Sequence, residues 1–429
     1  MTTIRLNISL LNSLFIGLLI IVLGRRECLC FLFQDSMLNF ASYFNTMKLP
    51  IFLDYNSTTP VDERVLKEML PYFSEKFGNA SSRTHAYGWE AAAAIDQASE
   101  QTAHLIHAET EEITFTSGAT EAINLALKGA FESYRSRGNH IITVSTEHKA
   151  VLDTCRLLER AGAMVTYLEV DREGIIDLDE LKKSFTDKTI VVCVMTANNE
   201  TGVLQPIQQV ASVAHEHGVI MMSDTTQACG KIKVDVNEDG IDLLCLSAHK
   251  LYGPKGIGAL YMRRKNPRVR ISAQMHGGGH EKGLRSGTLN VTGIVGLGKA
   301  CELAAKEMWD DAGRISVLRT RLEQMIADLG GIYINGSIRN RLPNTSNLAF
   351  EGIDSNELVR KLKDVAVATG SACTSALPEP SHVLSAMGLG KALAHASVRF
   401  SLGRFTTEEE VDFAVDCVKN AVNKLRKSI

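Results

Sequence analysis

From about residue 60 the chain alternates two patterns: stretches with apolar residues three and four apart, and short runs that are apolar almost throughout. The runs EEITFTS (111–117), HIITVS (140–145), MVTYLEV (164–170), TIVVCVMTA (189–197), GVIMMSD (218–224) and IDLLCLSAH (241–249) read as buried strands. Helical periods fill 119–135, 149–161, 177–184 and 205–216 between them. This alternation predicts an α/β domain with a mostly parallel sheet. Past the glycine-rich HGGGHEKGLRSGT, a long helical pattern (291–329) leads to NTSNLAFEG, more helix, ATGSACTSAL, ASVRFSLGR and a closing helix. The expected division is a large domain at 62–304 and a smaller α/β domain built from 47–61 and 305–429. No internal repeat or low-complexity linker separates the two, so they are expected to pack firmly together.

The first 46 residues break the pattern. ISLLNSLFIGLLIIVLGRR holds an apolar run containing Asn12 and Ser13, shorter than the ~20 residues that cross a bilayer. GRRECLCF offers no small-residue cleavage site. A marginal anchor, a targeting segment and translated sequence upstream of a start at Met47 all fit; the last is the expectation, with membrane contact only if the segment is real.

Composition narrows the function. Of 429 residues 45% are hydrophobic and 22% charged, enough apolar material for a large core. A net charge of −3 gives no general attraction to nucleic acid or an anionic membrane, so no direct nucleic-acid partner is expected. Nine scattered cysteines make no disulfide framework and point to a reducing compartment, with the cytoplasm as the expected location. Cys28 and Cys30 lack a second ligand pair, so no resident metal is expected.

Polar residues at the ends of apolar strands need a reason, and here they are Ser117, Glu147 with His148, Asn198 with Asn199, Asp224, and His249 with Lys250. A lysine at a strand lip is by itself most simply a snorkelling charge. Asp224, ending another buried strand, needs a cationic partner or a donor. Pyridoxal phosphate uses both residue types: a lysine amine forms a Schiff base with it, and a carboxylate holds its ring nitrogen protonated. Its phosphate needs donors. FTSGATEAINLALKG supplies a strand, Gly118, and a helix beginning near Ala119 and Thr120 whose free N–H groups favour an anion. Ser247 and His249 stand beside Lys250 to complete such a cup.

Four motifs, TEHKAVLDTC, SAHKLYGPKGIGALY, QMHGGGHEKGLRSGTLN and GSACTSA, together with IFLDYNSTTPVDERV and SLGRFTTEEEVD, resemble the cysteine desulfurases of the NifS and IscS type. These are pyridoxal-phosphate enzymes of the class V aminotransferase superfamily. The similarity covers essentially the chain after Met47. It implies fold type I, a large domain with a mostly parallel sheet plus a smaller α/β domain.

The resemblance also implies roles. Lys250 would hold pyridoxal 5'-phosphate and act as acid and base, and Asp224 would pair with the ring nitrogen. His148 would stack on the ring and assist proton transfer, although a helix cap is the plainer account of such a histidine alone. Asn199 and Gln227 would bond the ring oxygen. Ala119, Thr120, Ser247 and His249 would hold the phosphate, with Thr288 reaching it from the partner of a homodimer. Arg399 would clamp the substrate carboxylate, with Asn199 alongside. Cys373 would attack the sulfur of L-cysteine, leaving a persulfide and releasing alanine.

ATGSACTSAL surrounds that thiol with small residues that bury little area, so little free energy fixes the stretch in one place. An ordinary surface turn with an incidental cysteine is the bland account, and it loses weight beside the Lys250 site. The loop resembles the long-loop branch of the family, which favours cysteine over selenocysteine. It points to sulfur delivery to an acceptor such as an iron–sulfur scaffold, with tRNA thiolation a further destination and transient ligation of a cluster iron by Cys373. The chain ends at NKLRKSI, without the longer tail by which some relatives dock a scaffold. A transaminase with an incidental Cys373 and a non-enzymatic nucleotide-binding scaffold are the alternatives. GPKGIG and HGGGHEKG match neither GxxxxGK[ST] nor the context of a dinucleotide site.

Overall fold

In the computed structural model, which describes residues 48–369 and 380–427, a short strand β1 (Ile51–Phe52) comes first. The six apolar runs then form β2 (Ile113–Thr116), β3 (His140–Val144), β4 (Met164–Leu168), β5 (Thr189–Cys193), β6 (Ile220–Asp224) and β7 (Leu243–Ser247). A strand not anticipated, β8 (Gly258–Met262), joins them in a seven-stranded sheet of order β2-β8-β7-β6-β5-β3-β4. It runs antiparallel to β2 and β7, while the other pairs are parallel. The N-terminal segment and Cys373 lie outside the described residues.

Alternation within the strands explains the layers. Met221, Leu244 and Leu246 belong to one apolar cluster, and Met222, Leu243 and Cys245 to another. Both faces are therefore covered, as a parallel sheet requires. Helices α1 (Glu63–Met69), α2 (Pro71–Ser74), α3 (Ala86–Leu105), α4 (Ala119–Tyr134), α5 (Lys149–Arg160), α6 (Leu178–Ser184), α7 (Ile207–Glu216) and α8 (Val291–Ala327) supply the covers. Ala122, Ile123 and Ala126 of α4 pack on one face with Cys155 of α5; Val210 and Ala214 of α7 pack on the other. α8 approaches α3 so closely that a Cβ on Gly298 would lie 2.6 Å from the Ala98 Cα.

The remaining strands are β9 (Ile332–Ile334), β10 (Thr345–Phe350), β11 (Val365–Ala366) and β12 (Ser397–Ser401). They form an antiparallel β12-β10-β9 sheet and a parallel β1-β11 pair. Single bridges Asp54–Ser401 and Ala368–Arg399 tie the two together. β1 thereby brings the polar residues that follow it up to β12.

Candidate active site

The carboxyl ends of β2, β3, β5, β6 and β7 open into one cavity of about 1200 Å³, which the segment after β1 and the middle of β12 also line. Parallel strands deliver their polar terminal residues to a common edge. Here that edge collects Ala119, Thr120, His148, Asn199, Asp224, Gln227, Ser247, His249, Lys250 and Arg399.

Lys250 ends a one-turn 3₁₀ segment (Ala248–Lys250) directly after β7. Its Nζ donates to the carbonyl oxygens of Asn56 (2.5 Å) and Ser57 (2.7 Å). Burial, and then the Arg399 cation, pull its pKa down to about 8, against the pull of Asp54 and Asp224. Removal from water thus prepares an amine that loses its proton far more readily than a surface lysine. Asp224 is buried at the end of β6, with one oxygen accepting from the Thr226 amide at 2.9 Å.

The anion cradle is built by a glycine. Gly118 precedes α4 with φ +152, a conformation that favours glycine, and it offers no side chain to the first-turn amides of the helix. A Cβ placed there would come 3.6 Å from Ser247 Oγ, so the open helix start and that hydroxyl are neighbours. β8 touches the same turn: a Cβ on Gly258 would sit 2.7 Å from the Gly118 Cα and 2.5 Å from the Leu246 carbonyl oxygen. His249 is hydrogen-bonded through Nδ1 to Thr58 Oγ1 at 3.1 Å. Burial, then Lys250, Lys255 and Lys231, push its pKa down to about 4, so it stands as a neutral ring.

His148 caps α5: its Nδ1 accepts from the Ala150 amide at 3.1 Å. The plainer account of this histidine is therefore part of its role, yet the ring also lines the cavity. With Nδ1 accepting, the proton of the neutral ring sits on Nε2. The adjacent asparagines divide their work. Asn198 Oδ1 accepts from the amides of Glu200 (2.8 Å) and Thr201 (3.0 Å) as a loop knot, which leaves Asn199 to line the cavity.

Arg399, in the middle of β12, is buried, at 7% exposed. Nη2 meets Asp54 at 2.6 Å, Nη1 donates to the Asn199 carbonyl at 2.9 Å, and the buried Nε has no partner among the described residues. Thr288 is exposed and does not line this chain's cavity.

Residues given no role from the sequence complete the site. Asp54 pairs with Arg399, and the Asn56 carbonyl receives both Lys250 and Gln227; both residues follow an apolar IFL run, the cue that was available. Glu147, 0% exposed, accepts from the Met195 amide at 2.5 Å through Oε1 while Oε2 has no partner among the described residues. Burial, reinforced by Asp224, raises its pKa well above the ordinary carboxylate range, against the Met195 amide bond. Glu200 accepts from Ser381 Oγ at 2.5 Å, and burial pushes its pKa up to about 7. His382 donates Nε2–H to the Glu147 carbonyl at 3.0 Å.

These features fit pyridoxal phosphate: a buried amine of lowered pKa, a buried carboxylate, and a helix start left open beside a hydroxyl. The model of the class V aminotransferase family matches residues 51–413. A cysteine desulfurase IscS of Anaeromyxobacter sp. (strain Fw109-5) is 53% identical over 89% of this chain and 94% of its own. A solved NifS-like protein is 38% identical with a TM-score of 0.83, covering 88% of this chain and all of its own. A structure titled SspA in complex with cysteine is 37% identical with a TM-score of 0.73, covering 83% of this chain and 99% of its own. The chain belongs to the class V aminotransferase family, whose members are pyridoxal-phosphate enzymes, and within it to the NifS and IscS group.

Proposed function

We propose that the protein is a cysteine desulfurase that takes sulfur from L-cysteine onto Cys373 and releases alanine. The observation that carries this reading is the cavity itself, where Lys250, Asp224, the Gly118 helix start and Arg399 converge. Lys250 would hold the cofactor covalently, Asp224 would keep its ring nitrogen protonated, and Asn199 and Gln227 would serve the ring oxygen. Ala119, Thr120, Ser247 and His249 take the phosphate, with Thr288 of a second copy contributing across a homodimer. When bound, pyridoxal phosphate supplies the electron sink for charge left at the substrate Cα.

The chain's own groups do the rest. Arg399 orients the substrate carboxylate by a two-pronged contact. Lys250, whose pKa burial lowers to about 8, would move the Cα proton, and His148 would offer the proton on its Nε2. The Cys373 thiolate takes the sulfur: the substrate Cβ–S bond breaks, an S–S bond forms, and the carbon skeleton leaves as alanine. From the persulfide, sulfur passes to an acceptor protein such as an iron–sulfur scaffold, or toward tRNA thiolation, and Cys373 can hold a cluster iron briefly. Domains 62–304 and 47–61 with 305–429 bring the two sets of residues together. The buried free thiols Cys155, Cys193, Cys229, Cys245 and Cys301 favour a reducing, cytoplasmic setting. No described helix is long and apolar enough to cross a membrane.

The test is incubation with L-cysteine, measuring alanine and the mass of the Cys373 peptide. Alanine and a peptide heavier by one sulfur are expected. Cys373→Ala should lose both yet keep the yellow cofactor band, whereas Lys250→Ala should lose the borohydride-reducible linkage. Sustained alanine release by Cys373→Ala would overturn the assignment.

A further inference from the structure

Lys231 lies outside every role given so far. Its Nζ donates to Gln227 Oε1 at 2.7 Å and to the Gln227 carbonyl at 3.1 Å. Gln227 Nε2 in turn donates to the Asn56 carbonyl at 2.9 Å, the same oxygen that accepts from Lys250 Nζ. A lysine only donates and a carbonyl only accepts, so the two bonds fix which end of the buried amide faces which way. The oxygen is spoken for by Lys231. The nitrogen faces Asn56 in the cavity lining, and its second N–H has no partner among the described residues.

We infer that Lys231 is a positioning residue: it holds the Gln227 amide so that its N–H groups, and never its oxygen, are presented beside Lys250 to the cofactor's ring oxygen. This rests on the pyridoxal-phosphate reading of Lys250 and Gln227. The arrangement survives titration of Lys231, because its amine donates whether charged or neutral; burial and the Lys250 and Arg399 cations bring its pKa to about 7. Without Lys231 the buried amide oxygen loses its donor, and the amide gains reason to turn. A donor at the ring oxygen steadies the negative charge there, so its loss favours retention of the proton on the neighbouring Lys250 linkage nitrogen.

The experiment is a pH titration of the cofactor absorption band in the holoenzyme, with the melting temperature of each variant recorded alongside. Lys231→Met should raise the midpoint by about one pH unit, and Lys231→Arg, which keeps the donors, should restore it. In a Gln227→Met background, adding Lys231→Met should change the midpoint no further, because the effect passes through Gln227. A wild-type midpoint in Lys231→Met, or an equal shift with Gln227 already removed, overturns the inference. Should Lys231→Met fail to fold, Lys231→Ala, which also lacks a donor, and Lys231→Arg carry the same comparison. A wild-type protein with no cofactor band and no reducible linkage at Lys250 would instead sink the underlying reading.

Discussion

Glu200 offers a stability test whose size follows from the structure. It is buried beside Asn199, accepts from Ser381 Oγ, and has Arg399 and Lys149 as its charged neighbours. Burial outweighs those favourable contacts and lifts its pKa from the ordinary 4.5 to about 7. A raised carboxylate pKa means that the unfolded chain gives up this proton first. Stability from this group is therefore full below 4.5, declines as pH rises toward 7, and is flat above. At ~1.4 kcal/mol per pH unit the decline amounts to roughly 3 kcal/mol. Glu200→Gln keeps an oxygen for the Ser381 hydroxyl and removes the titration. Urea unfolding of the holoenzyme at a fixed protein concentration, at several pH values from 4.5 to 8, measures the difference between variant and wild type. The variant should gain on wild type by about 3 kcal/mol across that range. Parallel stability curves would refute the reasoning, because they would mean that Glu200 is ionised in the folded protein throughout.

Three further outcomes are expected. Gly258→Ala forces a methyl group against the Leu246 carbonyl and the Gly118 Cα; a loss of about 1–3 kcal/mol in unfolding experiments and weaker retention of pyridoxal phosphate should follow. Arg399→Lys replaces a planar two-pronged donor by a single ammonium and should lower kcat/KM for L-cysteine by roughly 10- to 100-fold, mainly through KM in steady-state assays. In protein stripped of cofactor, the rate of re-forming the Lys250 linkage should climb with pH and level off above about 8, since only the neutral amine reacts; a plateau reached only near 10 would contradict the lowered pKa.

The sheet and its active edge were legible because buried parallel strands advertise themselves as apolar runs, and Asp224 and Lys250 interrupt those runs at their ends. Helix α4 was likewise announced by the SGAT turn and the period after it. β8 was not, because GIGALYM opens with two glycines, and Gly258 is there for contact with Gly118 rather than for strand propensity. The alanine-rich α3 carries little apolar contrast; its small faces serve close approach to α8. The Arg399 and Lys250 side chains could be nominated from sequence, but their partners Asp54 and Asn56 could not. The pairings span 345 and 194 positions; the bridges joining β1, β11 and β12 bring the first together, and backbone bonds from Thr59 to His249 and from Asp62 to Tyr252 bring the second. His148 was read as either cap or cofactor partner, and the geometry places a capping ring on the cavity wall.

The Asp54–Arg399 pair has a consequence for how the cavity senses its contents. Arg399 depresses the proton affinity of Lys250 and Asp54 raises it, and with the two locked together each mutes the other. Under the proposed function, a substrate carboxylate at Arg399 would enter as a rival to Asp54, so plain carboxylic acids would gain little there. Its success would cancel the arginine's charge and release the aspartate's, and both changes would favour a proton on Lys250. Occupancy at one end of the cavity would in this way be signalled to the amine at the other by exchange of a counter-ion.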